Sequence, residues 1–296
     1  AVNRAMSYFS QGSWYKELVE GIAFYQFLCA ILKDYDTRKT EIIHKLQTIG
    51  QKIFRKAYLM ADMTVDHEGM QICTKPLVSF ADKLYTAPMS TVDCAVKTIG
   101  TCPRHNEAFI TSGMVQYNAC AGNFGGSGMA YSGSMNVLKN VLGNEYLWNN
   151  VRVKGGAYGC MCGFAPSGNG YFTSYRDPNL AKTYDIYANA ADYVRSLALD
   201  DRELTKYIIG AVGAIDLPMT ASMKGNRSLA AFLGERSFEQ IQKNRDELLA
   251  TTVDDLRGLS QAVASVIEAG HICVVGSESK ITEEKDRFEY VAQLIQ

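Results

Sequence analysis

Apolar positions in the first third of the chain recur every three or four residues, which is the spacing of an amphipathic helix. In the clearest stretch, Leu18, Ile22 and Tyr25 fall on one helical face. This part of the chain is therefore predicted to be mostly helical. The predicted elements are a helix over residues 14–33, a helix from a Thr37 cap to about Arg55, a short strand over residues 57–64 and a helix near residues 70–84.

From residue 105 onwards the pattern changes to short apolar runs bounded by turn residues, and such runs predict β-strands. Four or five longer periodic segments follow and predict helices, and one short apolar run returns near the end. Strands first, helices after them and a returning strand indicate an α+β fold. The predicted strands cover residues 108–112, 114–121, 157–164, 170–175 and 271–275.

Pro88, Gly100 and Pro103 interrupt the pattern between these two parts. We therefore predict a mostly helical partial domain over residues 1–85, a linker over residues 86–104 and a second domain over residues 105–296. The chain opens on Ala1, without an initiator methionine and next to a predicted helix over residues 4–9. We expect it to be the C-terminal part of a longer protein.

The junction of a predicted helix and a predicted strand, residues 152–159, carries the most informative side chains. Gly155 and Gly156 are predicted to end the helix, because glycine adopts the left-handed conformation without steric cost. Arg152 then lies on the last helical turn and Tyr158 at the start of the strand. Two donors converging on a carbonyl are what an acyl-transfer enzyme needs where negative charge develops. The alternative is an arginine that neutralises the helix C-terminus beside a half-buried tyrosine.

A second arginine, Arg176, belongs to a strand-to-helix turn over residues 174–179. Asp177 is predicted to cap the following helix, and Pro178 suits its first turn because the missing N–H has no partner there. Arg176 is a candidate for binding substrate at a cavity wall. Pairing with a neighbouring acid is an interpretation that stays open.

Charge and composition argue against two classes of partner. The formal net charge is −1, so the sequence lacks the excess of positive charge that is typical of nucleic-acid-binding proteins. No apolar run approaches the roughly 18 residues that span a bilayer, and the best candidate, residues 21–32, contains Gln26. The eight cysteines lie mostly among apolar neighbours, as free cysteines do. This predicts a reducing compartment: the cytoplasm or, in a eukaryote, an organelle matrix.

The histidines do not have the spacing of a metal site. The nearest two of the four, His44 and His67, are 23 positions apart, whereas two imidazoles about one helical turn apart can face one metal. His105 and Glu107 resemble the His-x-Glu of zinc deaminases, but no Pro-Cys-x-x-Cys follows them. We predict no metal ligand in this chain.

Two further patterns have structural explanations. Cys160 and Cys162 are separated by one residue and face the same side of a strand, whereas metal sites more often use two to four spacers. The glycine-rich residues 122–133 lie between a strand and a helix, where nucleotide loops also lie. They have Tyr131 where the dinucleotide pattern requires its third glycine, and no Gly-Lys-Ser/Thr follows. We predict a plain connection there.

The residues around the junction resemble a known family. Residues 146–159, Tyr-Leu-Trp-Asn-Asn-Val-Arg-Val-Lys-Gly-Gly-Ala-Tyr-Gly, are similar to the C-terminal half of the pitrilysin/insulinase family of zinc peptidases, in its presequence-protease (falcilysin-like) branch. Residues 107–123, 174–180, 213–218 and 245–249 match further landmarks of that branch in the same order. The resemblance covers roughly residues 1–275.

The resemblance implies a fold, an activity and partners. The fold is an antiparallel-rich sheet with helices packed on one face, and the activity is that of a zinc metallopeptidase degrading unfolded peptides in a closed chamber. The family holds zinc through an inverted His-x-x-Glu-His motif, which this sequence lacks. Zinc is therefore expected in an N-terminal half upstream, and this chain alone is expected to be inactive and to bind no cofactor. Its partners would be a peptide substrate and that zinc-bearing half.

The same resemblance implies roles for residues of the junction. Arg152 and Tyr158 would hold the substrate carbonyl near the scissile bond. Gly155, Gly156 and Gly159 would let a peptide backbone approach closely. Two alternatives stay open: a non-catalytic subunit that pairs with a separate zinc-bearing chain, and a degenerate peptide-binding module.

Overall fold

The structure, a computed structural model, describes residues 1–86 and 99–294. A π-helix, Leu142–Val153, directly continues the sixth α-helix. The α-helices are α1 (Val2–Ser7), α2 (Gln11–Glu20), α3 (Ile22–Lys33), α4 (Tyr35–Ile53), α5 (His67–Ala81), α6 (Ser134–Val141), α7 (Ala181–Ala188), α8 (Ala190–Arg195), α9 (Asp201–Ile215), α10 (Ala221–Leu233), α11 (Phe238–Leu249), α12 (Val253–Gly258), α13 (Ser260–Glu268) and α14 (Glu278–Glu283).

Six described strands form one sheet, in the spatial order β3-β4-β2-β5-β1-β6. β2 is antiparallel to β4 and β5, and β3 is antiparallel to β4, whereas β1 is parallel to β5 and β6. Antiparallel pairings therefore predominate, and the predicted α+β class is confirmed. The strands are β1 (Glu107–Thr111), β2 (Gln116–Asn123), β3 (Gly159–Phe164), β4 (Asn169–Asp177), β5 (His271–Ser277) and β6 (Tyr290–Gln293).

The two faces of the sheet bury different cores, because alternate strand residues point to opposite sides. The larger core lies between the sheet and the helices that follow it, and Cys120, Phe172 and Val274 face it. On the opposite face, Ala119 and Cys273 pack with residues of α1. Helices α6–α9 and α11–α14 thus pack into the core on one face, and α1 covers part of the other.

A buried ion pair fastens α1 to the sheet. The Arg4 guanidinium donates to both carboxylate oxygens of Glu107, the first residue of β1, and the Tyr8 hydroxyl donates to the same carboxylate at 3.2 Å. Arg4 is 4% exposed and Glu107 is fully buried. Burial alone would lower the pKa of Arg4, but the Glu107 carboxylate outweighs burial and raises it.

The chain divides into two compact units whose limits differ from the predicted domains. The first combines Ala1–Tyr25, Ile99–Asp216 and Glu239–Gln296, and the second combines Gln26–Thr98 and Leu217–Phe238. The N-terminal helices join the sheet unit because they bury its second face. Most of the predicted linker, residues 86–104, lies outside the described residues.

Three local predictions were wrong. The predicted helix over residues 14–33 is broken at Gly21, whose Cβ position lies 2.5 Å from the Glu17 carboxylate, and Glu17 accepts the N–H of Ile22. Residues 57–64 form no strand, and a short 3₁₀ turn, Lys56–Tyr58, begins this segment. Thr37 does not cap α4, because the helix already begins at Tyr35.

The second unit buries few of its apolar side chains. Helix α3 leads into this unit, and α4 and α5 belong to it. None of these three helices has a buried residue. Leu32 is 76% exposed and Ile72 is 65% exposed. Amphipathic helices normally bury their apolar face against another element, and this unit leaves those faces open. Among the described helices, none is long and apolar enough to cross a membrane.

Candidate functional site

The π-helix that carries Arg152 ends at two glycines. It ends at Val153, and Gly156 follows with a φ of 83°, in the left-handed region that favours glycine. The N–H of Gly156 donates to the Arg152 carbonyl at 2.8 Å. A side chain at Gly155 would place its Cβ 2.4 Å from the carbonyl oxygen of Val151. Both glycines are therefore required for the chain to leave the helix here.

Arg152 and Tyr158 lie side by side across this turn. The Nη1 of Arg152 donates to the backbone carbonyl of Tyr158. The guanidinium carbon lies 4.2 Å from the centre of the Trp148 ring and 5.5 Å from that of Tyr158, within the range of cation–π attraction. Tyr158 is 57% exposed, so a ligand can reach its phenol.

Arg176 reaches the same phenol from the neighbouring strand. The pairing of β2 with β4 shifts between Gln116 and Asn118, so β4 carries one extra residue, a β-bulge. Arg176 lies in this bulge with a φ of 48°. Its guanidinium carbon lies 5.7 Å from the centre of the Tyr158 ring, and its carbonyl accepts the Tyr158 N–H at 3.2 Å. The structure thus brings Arg152, Tyr158 and Arg176 together.

The two guanidinium groups beside Tyr158 have no carboxylate partner in the part of the chain that the structure describes. None of the ion pairs there includes Arg152 or Arg176. Arg176 was interpreted either as a substrate-binding residue or as the partner of a neighbouring acid. Among the described residues, no acid pairs with it. Both positive charges remain able to act on a polar group that approaches the phenol.

Gly159 makes room for a side chain of its own sheet. Its partner across the strands is Tyr175, and a Cβ on Gly159 would lie 2.2 Å from Cε1 of that ring. The Tyr175 ring packs edge-on to the Tyr158 ring, with their centres 5.5 Å apart. The space expected to admit a peptide backbone at Gly159 is thus occupied by Tyr175, which supports Tyr158 from the side.

Asp177 does not cap a helix, contrary to the prediction. The next helix, α7, begins at Ala181, and Asp177 lies fully buried before it. Its carboxylate accepts from the Ser174 and Thr183 hydroxyls at 2.6 and 2.7 Å and from the Asn179 N–H at 2.9 Å. This polar cluster was not predicted, because the donors come from separate elements.

The glycine-rich residues 122–133 form a connection, as predicted. They include a 3₁₀ turn, Gly125–Ser127, and lead to α6. The N–H of Gly133, just before α6, donates to the Glu247 carboxylate at 2.8 Å. A carboxylate of the same chain therefore takes the position where a helix N-terminus would bind a phosphate.

The His105 and Glu107 side chains have structural partners. Glu107 pairs with Arg4, and the His105 ring lies 5.7 Å from that of His271 and stacks on it. Within residues 1–86 and 99–294, no group of three or more His, Cys, Asp or Glu side chains could hold a metal ion.

The described cysteines are free thiols, and several are buried. Burial raises the pKa of Cys160 to about 11 and that of Cys162 to about 12. Both thiols therefore stay protonated at neutral pH, which makes them poor nucleophiles and poor metal ligands.

We expect thiol counting to find all eight cysteines reduced. Freshly prepared protein is denatured, alkylated and weighed intact, so that each free thiol adds one label. Fewer than eight labels would contradict the assignment to a reducing compartment.

Comparison with known proteins gives the site its family context. The family model of the PreP C-terminal domain matches residues 106–280. The HypA protein of Clostridium perfringens is 32% identical over 304 aligned positions, which cover all of this chain and 30% of that protein. Presequence protease 1 of Arabidopsis thaliana, chloroplastic/mitochondrial, is 34% identical over 90% of this chain and 25% of its own length. The chain thus spans less than a third of these relatives.

Solved structures of similar proteins include a protease from Helicobacter pylori, with a TM-score of 0.49 and 13% identity over 71% of this chain and 52% of that chain. Pitrilysin gives a TM-score of 0.43 and 10% identity over 88% of this chain and 31% of its own. The assignment rests on the sequence matches, of which the family model covers more than half of the chain. The chain belongs to the PreP C-terminal domain family and is a C-terminal part of a presequence-protease-like peptidase.

Proposed function

We propose that the chain is the C-terminal half of a zinc metallopeptidase that degrades unfolded peptides inside a closed chamber. In this proposal the chain forms part of the chamber wall, and the zinc-bearing half lies upstream. The described residues do not themselves fit a zinc ion, because no cluster of ligating side chains occurs among them. The chemistry assigned to this chain is therefore limited to binding and orienting the substrate carbonyl.

The observation that carries the proposal is an exposed phenol with two guanidinium groups near its ring, neither in an ion pair among the described residues. Tyr158 donates its phenolic hydrogen to the carbonyl oxygen of the scissile peptide bond. Negative charge develops on this oxygen when the carbonyl carbon is attacked. A donor aimed at that oxygen typically stabilises the transition state by about 3 kcal/mol.

Arg152 adds charge and fixes the orientation of the phenol. One of its five N–H donors is used by the Tyr158 carbonyl, which ties the guanidinium to the backbone of the residue it assists. Arg176 contributes a second positive charge on the substrate side. Gly155 and Gly156 act through the shape of the turn, since they let the helix end directly before Tyr158.

Two observations support a longer protein around this chain. The chain corresponds to 30% of the HypA protein and to 25% of the Arabidopsis protease. The helices α3, α4 and α5 bury none of their residues. Apolar faces left open in this way favour further protein packed against them.

We also propose that the protein works in a reducing compartment. The seven cysteines among the described residues are free, and four of them, Cys102, Cys120, Cys162 and Cys273, are fully or almost fully buried. The Arabidopsis relative is named as a chloroplastic and mitochondrial protein. An organelle matrix or the cytoplasm fits free thiols of this kind.

The proposal predicts that Tyr158→Phe lowers kcat/KM for a peptide substrate by about ten- to a thousand-fold, because one aimed donor is lost. The change removes only a hydroxyl from a ring that is 57% exposed, so folding should be unaffected. Steady-state kinetics of the protein expressed from its complete coding sequence, with a fluorogenic peptide, measure the effect.

Tyr117→Phe is the matched control, because Tyr117 is a 41% exposed tyrosine on β2 of the same unit. It should leave kcat/KM unchanged. Equal kinetics for both variants would remove Tyr158 from the reaction and favour a degenerate peptide-binding module.

A further inference from the structure

Residues 174–179, which we call the bracing segment, contact the Arg152–Tyr158 turn along its length. The Nδ2 of Asn179 donates to the Gly155 carbonyl at 2.6 Å, and the Arg176 carbonyl accepts the Tyr158 N–H at 3.2 Å. The turn is therefore held on both sides of Gly156 by a single stretch of chain. These bonds hold the backbone from which the Arg152 and Tyr158 side chains extend.

The bracing segment is itself held from inside the protein. Asp177, at its centre, is fully buried and accepts at Oδ2 from the Ser174 and Thr183 hydroxyls and from Asn118 Nδ2 at 3.2 Å. Its Oδ1 accepts the backbone N–H of Asn179 at 2.9 Å. A buried carboxylate with this many donors is fixed in position, because moving it would leave several polar groups without partners.

Asn179 is the link between this anchored carboxylate and the turn. Its backbone N–H donates to Asp177, and its side-chain amide donates to the carbonyl of Gly155. Gly155 lies three residues after Arg152 and three before Tyr158, at the middle of the turn. The bond to this carbonyl therefore adds an external support to a turn whose internal bonds run from the Gly156 and Ala157 N–H groups to the Arg152 and Val151 carbonyls.

We propose that Asn179 is a positioning residue for the carbonyl-binding pair Arg152 and Tyr158. It supports their relative position through its bond to the Gly155 carbonyl. This inference rests on the function proposed above. Asn179 acts through Gly155 and does not contact the substrate, since its amide is directed at protein groups on both sides. A misplacement of reacting groups by about 1 Å can cost about a hundredfold in rate.

The expected signature of Asn179→Ala is a fall in kcat of about ten- to a hundredfold with KM changed less than about threefold, since the pair would still be present but misaligned. Asn189→Ala is the matched control. Asn189 Nδ2 donates to the Asp185 carbonyl at 2.7 Å in the same unit, away from the bracing segment. It should leave both constants unchanged.

Asn179→Ser is a second variant whose result does not depend on whether the alanine variant folds. Serine keeps the backbone bond to Asp177, but its side chain is too short to reach the Gly155 carbonyl. It should therefore reproduce the fall in kcat in a protein that melts like the wild type. Wild-type kcat for a folded Asn179→Ser protein would overturn the inference.

A double-mutant cycle separates positioning from general destabilisation. If Asn179 acts by aligning Tyr158, Asn179→Ser should lower kcat less than about threefold in a Tyr158→Phe background, because the group it aligns is already missing. Two effects that multiply in full would show that Asn179 acts independently and would overturn the inference. Failure of the proposed function looks different, because Tyr158→Phe alone would then leave the kinetics unchanged.

Discussion

Replacing Arg4 with methionine is expected to lower the stability of the sheet unit by about 3–5 kcal/mol, the usual cost of removing one partner of a buried ion pair. Glu107 is fully buried and would lose both of its guanidinium bonds. Glu17, which is 3% exposed and also contacts Arg4, would lose a partner as well. The variant leaves charges inside the protein that water cannot reach.

Native-state amide hydrogen exchange of the β1 and β5 backbone measures this loss of stability. It does not require the whole protein to unfold in one step. Lys16→Met is the control, because its ion pair with Glu20 is 59% exposed on both sides and should have no measurable effect. Protection of β1 unchanged in Arg4→Met would show that α1 does not depend on this pair for its attachment.

The chain alone is expected to bind no stoichiometric zinc and to show no peptide hydrolysis. The protein from the complete coding sequence, by contrast, should bind zinc and hydrolyse peptides. The reason is chemical, since the described residues include no cluster of His, Cys, Asp or Glu side chains that could hold a metal. Without a metal or another group to activate water, a carbonyl-binding pair orients its substrate but does not cleave it.

Metal analysis of the tag-free chain, together with a fluorogenic peptide assay, measures both properties. One tightly bound zinc per chain, or turnover by the chain that a chelator abolishes, would contradict the assignment of the metal to an upstream half. A coding sequence that begins with this chain and lacks an upstream zinc motif would favour the alternative of a subunit that pairs with a separate zinc-bearing chain.

Strands with strong local patterns were predictable from the sequence, and elements that depend on distant partners were not. All five predicted strands, β1 to β5, lie within two residues of their predicted limits. β6 was missed, because its four residues gain their strand structure from pairing with β1. The break at Gly21 was missed because the Glu17 side chain that fills the space is set by tertiary contacts with Arg4 and Asn3.

The candidate site divides in the same way. Arg152, Gly155, Gly156 and Tyr158 are close in sequence, so a helix end followed by a strand was enough to predict that they come together. Arg176 meets Tyr158 only because β3 pairs with β4 and because a bulge turns its side chain. Neither feature has a local signal in the sequence. The buried Asp177 cluster likewise requires donors that meet only in the folded chain.

The joint action of Arg152 and Tyr158 on the substrate carbonyl is tested by a double-mutant cycle of kcat/KM with Arg152→Ala and Tyr158→Phe in the protein from the complete coding sequence. Each single change should cost about ten- to a thousand-fold, and Arg152→Lys should not restore activity if the planar fork is required. We expect the double variant to lose less than the product of the single effects, because both residues act on one carbonyl. Zinc content should remain unchanged in all of them. Near-wild-type kinetics for a well-folded Tyr158→Phe protein, or single losses that multiply in full, would contradict this joint action.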